Sequence, residues 1–302
     1  MKIISTHQIQ ELKDPMRLNT YCEQVIDFFE SRKSVKKAIK RGEVLLNQSV
    51  KNGGTWLKTG DIIQIIDLEN RGPKPYELAV PVVYEDDHIA IVNKPAGLTV
   101  SGNQYKTLYN TLAYNLTPSR LSNRLPHPLP THRLDNQTSG LVLIAKSKSA
   151  RISLGNMFTE KKIHKSYHAI AMGRLPTKEH TTGVIRADID GKKALTKFIV
   201  LSETRSLKNN WLSLVKLSPI TGRTHQIRKH LLSVGTPILG DKLYAAKTIR
   251  NKGLFLCATD LTFKHPATNE PLHISIDLPA KFKKRLEGEH KRWAQYNADS
   301  TA

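Results

Sequence analysis

Apolar side chains recur at Leu18, Tyr21, Cys22, Val25, Ile26 and Phe29. Steps of three and four residues put them on one face of a helix, predicted over 17–30. A second helix follows, VKKAIKR up to Gly42, with Ser31 or Ser34 as its cap and Val35, Ala38 and Ile39 available to a core. Two strand-like runs come next: EVLLN ahead of a polar turn, and DIIQII after the Lys58-Thr59-Gly60 turn. Residues 1–68 therefore read as a small αα/β unit. Three prolines and a glycine then punctuate 69–81, the composition of a linker.

The pattern changes from residue 82. VVYEDDHIAIVNKPAG alternates and then turns at Pro95 and Gly97, as a hairpin does. Residues 101–130, with Pro118, Pro126, Pro128 and Pro130, read as a long irregular connection. LVLIAKS is a short buried strand, and a helix is expected from Ser149 to about Glu160 with Ile152, Met157 and Phe158 inward. KSYHAIAMG, 183–202, 211–218 and LFLCATDLTF are further strands. THQIRKHLLSVG is a helix with Ile227, Leu231 and Val234 on one face and Gly235 closing it. AKFKKRLEGEHKRW reads as a basic helix with Phe282, Leu286 and Trp293 inward. No internal repeat is visible. The fold class is α+β: residues 82–295 form a mainly antiparallel mixed sheet flanked by helices, preceded by the small unit.

Composition narrows the partners. Of 302 residues, 47 are Lys or Arg and 26 are Asp or Glu, a formal charge of +21. An apolar fraction of 39% builds a core, so this is no disordered polycation. The charge favours a nucleic acid over a neutral substrate, and aromatics at 6% leave few rings for stacking. In the second helix Arg32, Lys33, Lys36, Lys37, Lys40 and Arg41 cluster, giving one basic face suited to RNA; a solvated face is the plainer reading. Two cysteines support neither a disulfide framework nor a thiolate metal site, and suit a reducing compartment. No signal-peptide pattern and no membrane-length apolar run occur, so a cytoplasmic protein is expected.

The familiar cofactor and metal templates are missing. There is no GxxxxGK[ST] or strand-linked GxGxxG, no HExxH, CxxC or EF-hand spacing, and no GxSxG elbow. Three segments stand out instead. In THRLDNQTSGLVLIAKS, His132-Arg133-Leu134-Asp135 leads into a buried strand, and a carboxylate held there serves as nucleophile or general base. On composition alone, Asp135 capping the turn and pairing with Arg133 is the stronger reading. In KSYHAIAMG, Tyr167 offers either a stacking face or a core ring. In TGRTHQIRKHLLSVGTPILGDKLY, Arg223, His225, Gln226, Arg228 and His230 crowd one helix start, where they hold phosphate or keep a carboxylate ionised.

Two resemblances organise these segments. SRKSVKKAIKRGEVLLNQ…VKNGG…LKTGDIIQI resembles the small αα/β RNA-binding domain of ribosomal small-subunit protein S-four, over residues 15–67. Asn47 is followed by Gln48 where that family commonly has Gly. HRLDxxTSG, KxYxAxxxG and GRTHQIRxHLxxxGxPIxGDxxY, in that order, with NKPAG upstream and FKHP downstream, resemble the RluA-type pseudouridine synthases over about 80–280. That resemblance implies Asp135 as the catalytic aspartate, Tyr167 stacking on the target base and Arg228 as the basic partner of Asp135. It also implies that His132 and Arg133 help extrude the uridine, with Arg223, His225 and Gln226 on the RNA. Asn136 and Gln137 stand where the family usually carries charges. The implied partner is structured RNA, ribosomal ahead of transfer RNA, acted on by a monomer without metal or cofactor. A non-catalytic, ribosome-associated RNA-binding protein is the alternative; a glycosylase would add a second carboxylate near Asp135.

Overall fold

The computed structural model describes residues 2–299 apart from 13, 27, 30, 68–73, 178–180 and 246–252. The start of the expected linker, 69–73, lies outside the described residues. The chain divides into two compact units, Met1–Gly72 and Pro73–Ala302.

The first unit runs β1 (Lys2–Gln8), α1 (Leu18–Val25), α2 (Arg32–Arg41), β2 (Val44–Leu46), β3 (Ser49–Val50) and β4 (Ile62–Asp67). Its antiparallel sheet has the order β1-β4-β2-β3. Strand β1 was not anticipated. Its Ile3 and Ile4 are exposed, so it lacks the buried alternation that marks a strand in sequence. Helix α1 stops at Val25, short of the expected residue 30, because Ile26 turns extended. Its Leu18, Tyr21 and Cys22 join Val35, Ala38 and Ile39 of α2 in one core. Ser31 is the cap of α2: its Oγ accepts from Ser34 N, and Ser34 Oγ accepts from Ser31 N. The helix closes on Gly42 at φ +72°. Asn47 and Gln48 both take positive φ in the β2–β3 turn. Asn47 Oδ1 accepts from Ile62 N while its amide donates to Asp61, which fixes the turn. Gln48 at φ +62° costs roughly 1 kcal/mol that glycine would not.

The second unit contains β5 (Val82–Glu85), β6 (Ile89–Lys94), α3 (Leu108–Asn115), β7 (Arg124–Pro130), β8 (Ser139–Ser147), α4 (Lys148–Thr159), β9 (His164–Met172) and β10 (Thr182–Arg186). It continues with β11 (Leu195–Ser206), β12 (Asn210–Pro219), α5 (Gln226–Ser233), β13 (Leu256–Lys264), β14 (Pro271–Ser275) and α6 (Ala280–Asp299). One sheet runs β10-β11-β12-β9-β13-β8-β6-β5, with β14 on β13 and β7 on β8. Every pairing is antiparallel except β13 with β8. This is the mainly antiparallel mixed sheet expected. Strand β8 is buried on both faces: Leu141, Leu143 and Ala145 enter one apolar cluster, Val142 and Ile144 the other. Hence its continuous apolar run. Phe282 of α6 is sealed against Phe255, which contributes about 2–3 kcal/mol of apolar burial.

Three expectations need correction. The stretch 101–130 is not wholly irregular: it holds α3, capped by Thr107, and β7. Prolines 126, 128 and 130 are tolerated because β7 pairs with β8 at only a few positions. The α4 residue Ile152 is exposed, and Ala150 and Leu154 carry the buried stripe instead. The expected strand over 183–202 is two, β10 and β11, joined by a tight Ile189–Lys192 bridge. Residues 74–81 run as a strap along α3: Tyr76 N donates to Asn110 O, and Val80 N to Asn115 Oδ1.

Candidate active site

Asp135 lies in the short loop before β8. Leu134, buried in the main core, anchors the loop, and Thr138 N donates back to Asp135 O. Across from it sits the Pro95–Gly97 turn. Gly97 N donates to Asn136 O, and Asn136 Nδ2 donates to Gly97 O. Lys94 locks both loops together. Its ammonium is fully buried and donates to the carbonyls of Pro95, Leu98 and Asn136 at 2.9, 2.7 and 3.2 Å. Burial pulls this ammonium down to about 8, against the opposing pull of the Asp135 carboxylate. The loop then feeds β8 through Gly140 at φ +116°, where a Cβ would fall 2.1 Å from Ala258 O. Only glycine permits the close β8–β13 approach that aims the loop.

Arg228 comes from the start of α5. Its Nε and Nη2 donate to the two oxygens of Asp241 at 2.7 and 2.8 Å. That bidentate grip leaves Nη1 pointing at Asp135 Oδ2, 3.3 Å away. Asp241 is wholly buried and also accepts from Leu243 N and Tyr244 N. Burial acts to raise the Asp241 pKa, but the Arg228 bonds and these amides outweigh it and hold it below the ordinary carboxylate range. Burial likewise opposes the Arg228 charge, and the two aspartates more than restore it. The second Asp135 oxygen, Oδ1, faces His225 Nε2 at 3.6 Å.

The Asp135 carboxylate therefore sits between a guanidinium and an imidazole. It lines a cavity of about 250 Å³ with Thr99, Ser101, Arg133, Gln137, His225 and Arg228 among its walls. Asp135 keeps 25% of its side chain exposed. Tyr167, on β9, is buried in the same apolar cluster as Leu134. Burial, then the nearby Asp135 charge, raises its hydroxyl pKa well above the usual value, so it stays a neutral ring. Among the described residues no group of three or more His, Cys, Asp or Glu side chains is placed to hold a metal ion.

Two expected RNA contacts are corrected. Gln226 is buried: its amide donates to Leu195 O and Thr196 Oγ1, and its oxygen accepts from Thr221 Oγ1 and Arg223 N. Those four bonds use its whole capacity, so in this structure it fastens the helix start. His132 turns inward, its Nε2 accepting from Leu143 N, its ring on Phe158 and its Nδ1 sealed from solvent. Burial, with Lys165 adding to it, lowers its pKa to about 3. It braces β8. Arg133 is exposed at the cavity wall, and exposed Arg223 donates to Lys193 O. Asp241, Tyr244 and Lys94 were missed as site residues. The GDxxY and NKPAG spacings held them in view, but neither carries a local chemical signature.

The family assignment follows from comparison with known proteins. The model of the family described as RNA pseudouridylate synthase matches residues 88–233, which include Asp135, Tyr167 and Arg228. An uncharacterized RNA pseudouridine synthase of Aquifex aeolicus is 32% identical over 94% of this chain and 96% of its own. This chain belongs to the RNA pseudouridylate synthase family. Such an RNA pseudouridine synthase is an isomerase acting on RNA. The dual-specificity RNA pseudouridine synthase RluA of Haemophilus influenzae is 38% identical to it over 66% of this chain and 93% of its own. The ribosomal large subunit pseudouridine synthase C of Vibrio vulnificus is 32% identical over 84% and 86%. Among solved structures, human RNA pseudouridylate synthase domain containing 1 superposes on the synthase with a TM-score of 0.55 at 26% identity, covering 67% of this chain and 87% of its own.

Proposed function

We propose that Asp135 drives the isomerisation, with Arg228 as its charge partner and Tyr167 as the ring against which the uracil lies. The observation that carries this is the carboxylate itself, partly open to a small cavity and flanked on its two oxygens by Arg228 and His225. A guanidinium donor stands 3.3 Å from one carboxylate oxygen, where it can steady charge that develops there. The carboxylate attacks C1′ or C6, or removes the 2′ proton; all three routes need the same residue in the same place. The N1–C1′ bond breaks, the uracil turns, and C5 bonds to C1′. The proton leaves C5 and N1 gains one, so no net oxidation or hydrolysis occurs. A uridine reaches such a cavity only out of its stack, and Arg133, at the cavity wall, is the residue we assign to fill the gap.

The proposed substrate is ribosomal RNA of the large subunit, supported by the relative named as a large-subunit synthase and by the charge of +21. Residues 1–68 are proposed as an S-four-type RNA-binding domain. All six basic residues of α2 are exposed while Val35, Ala38 and Ile39 are buried, the amphipathic split an RNA-facing helix needs. No described helix is long and apolar enough to cross a membrane, and Cys22 and Cys257 are both unpaired and buried. A reducing, cytoplasmic setting suits both facts.

The deciding experiment is Asp135→Asn assayed on ribosomal RNA by chemical mapping of pseudouridine. The expected result is a loss of at least ~10³-fold in rate, with RNA affinity kept within about threefold. An Asn variant that still forms pseudouridine overturns the role of Asp135.

A further inference from the structure

Tyr244 touches both groups that face Asp135. The Arg228 guanidinium lies 4.9 Å from the centroid of its ring. Its hydroxyl shares a 2.8 Å hydrogen bond with His225 Nδ1, and the two rings meet edge to face at 5.6 Å. Its own backbone N–H is held by Asp241, the residue that grips Arg228. One phenol thus stands behind both sides of the carboxylate.

Hydrogen-bond bookkeeping gives this contact a direction. His225 Nε2 faces a carboxylate oxygen at 3.6 Å. A bare lone pair at Nε2 would repel that oxygen, so in the neutral ring Nε2 carries the hydrogen. Nδ1 is then the acceptor, and the Tyr244 hydroxyl must donate to it. The phenol selects the tautomer that points a donor at Asp135. His225 also sits at φ +54°, an uncommon conformation for a residue with a Cβ. That backbone lets the residue cap α5, with Lys229 N donating to His225 O, while the ring swings toward the carboxylate. Strain of this kind, roughly 1–3 kcal/mol, persists where surrounding contacts over-determine it. Tyr244 supplies one of those contacts.

We propose that Tyr244 is a positioning residue for the reaction: its hydroxyl sets the His225 tautomer, and its ring seats Arg228, so that both oxygens of Asp135 meet a fixed donor. This rests on the reading of Asp135 as the reacting carboxylate. It assigns to the last letter of GDxxY a function exerted through His225 and Arg228.

The test is a double-mutant cycle on the full chain. Tyr244→Phe keeps the ring under Arg228 and removes the hydroxyl; His225→Gln removes the imidazole. Each is expected to lower kcat about tenfold with KM within about twofold. The double variant is expected to fall no further than the worse single one, because the hydroxyl acts through His225. Additive losses, or a Tyr244→Phe enzyme with the original kcat, overturn the proposal. A second readout needs no altered enzyme beyond an assignment. In nitrogen-15 spectra of the wild-type protein, with His225 identified by its absence from His225→Gln, neutral His225 should carry its hydrogen on Nε2. A hydrogen on Nδ1 overturns the proposal even if Tyr244→Phe folds poorly. The two readings fail separately. An active Asp135→Asn removes the reading of Asp135, whereas an inactive one beside an unimpaired Tyr244→Phe removes only this inference.

Discussion

His132 and Gln226 show how much a side chain's direction matters at the scale of one residue. Both are polar, both stand in motifs rich in charged and polar groups, and both point inward. Their neighbours explain it: Leu143 N needs an acceptor, and the α5 start needs its free backbone groups satisfied. Burying a neutral imidazole has a pH consequence. The folded His132 pKa falls to about 3 from an ordinary value near 6.5. Between those values the unfolded chain binds a proton that the native chain refuses. Stability from this group is therefore full above about pH 6.5 and lost as pH falls toward 3. His132→Gln keeps an acceptor for Leu143 N without a titrating ring. Its denaturant midpoint should decline less steeply than wild type from pH 6.5 down to pH 4. Equal slopes for the two proteins would show that His132 does not set the acid limb.

Elements aim the site, and the decisive one is β8. It leaves the Asp135 loop through Gly140, pairs in parallel with β13, and is covered on both faces. Gly140→Ala would place a methyl group against Ala258 O in a backbone conformation that L-residues avoid. The expected cost is at least ~3 kcal/mol, read as a lower midpoint in denaturant, with activity lost through a displaced Asp135. A fully active, equally stable Ala variant would mean that the loop tolerates a wider β8–β13 gap. The edge strands β1 and β7 escaped the sequence reading for one reason. Edge strands need neither alternation nor a full set of N–H donors, so their residues carry little period-two signal.

The whole molecule adds the charge. A cavity of about 550 Å³ in the first unit is walled by Lys36, Lys40 and Lys51 with Asn19, Asn52 and the Gly53–Gly54 turn. If this surface tracks a phosphate backbone, replacing the three lysines with alanine should weaken RNA binding most at low salt. The slope of log affinity against log salt should become shallower by ~2–3. Pseudouridine formation on saturating RNA should persist, since none of the three lines the Asp135 cavity. An unchanged slope would leave that surface without a phosphate role. The net charge of +21 by itself supports attraction to RNA and says nothing of which face is used.

Local periodicity was enough to reveal the α2 helix with its buried and basic faces, the apolar run at the centre of β8, and the α+β class. Each of these depends on residues within a few positions of one another. The family resemblance carried by the motifs also brought Asp135, Tyr167 and Arg228 into one set. Asp135 and Arg228 lie 93 residues apart, and only the sheet brings them to 3.3 Å. Tertiary packing alone decided that Asp241 grips Arg228, that Lys94 ties two loops, and that Gln226 and His132 serve the interior. A polar side chain reads the same in sequence whether its partner is solvent, RNA or a buried carbonyl; which one it meets depends on the surfaces that fold around it.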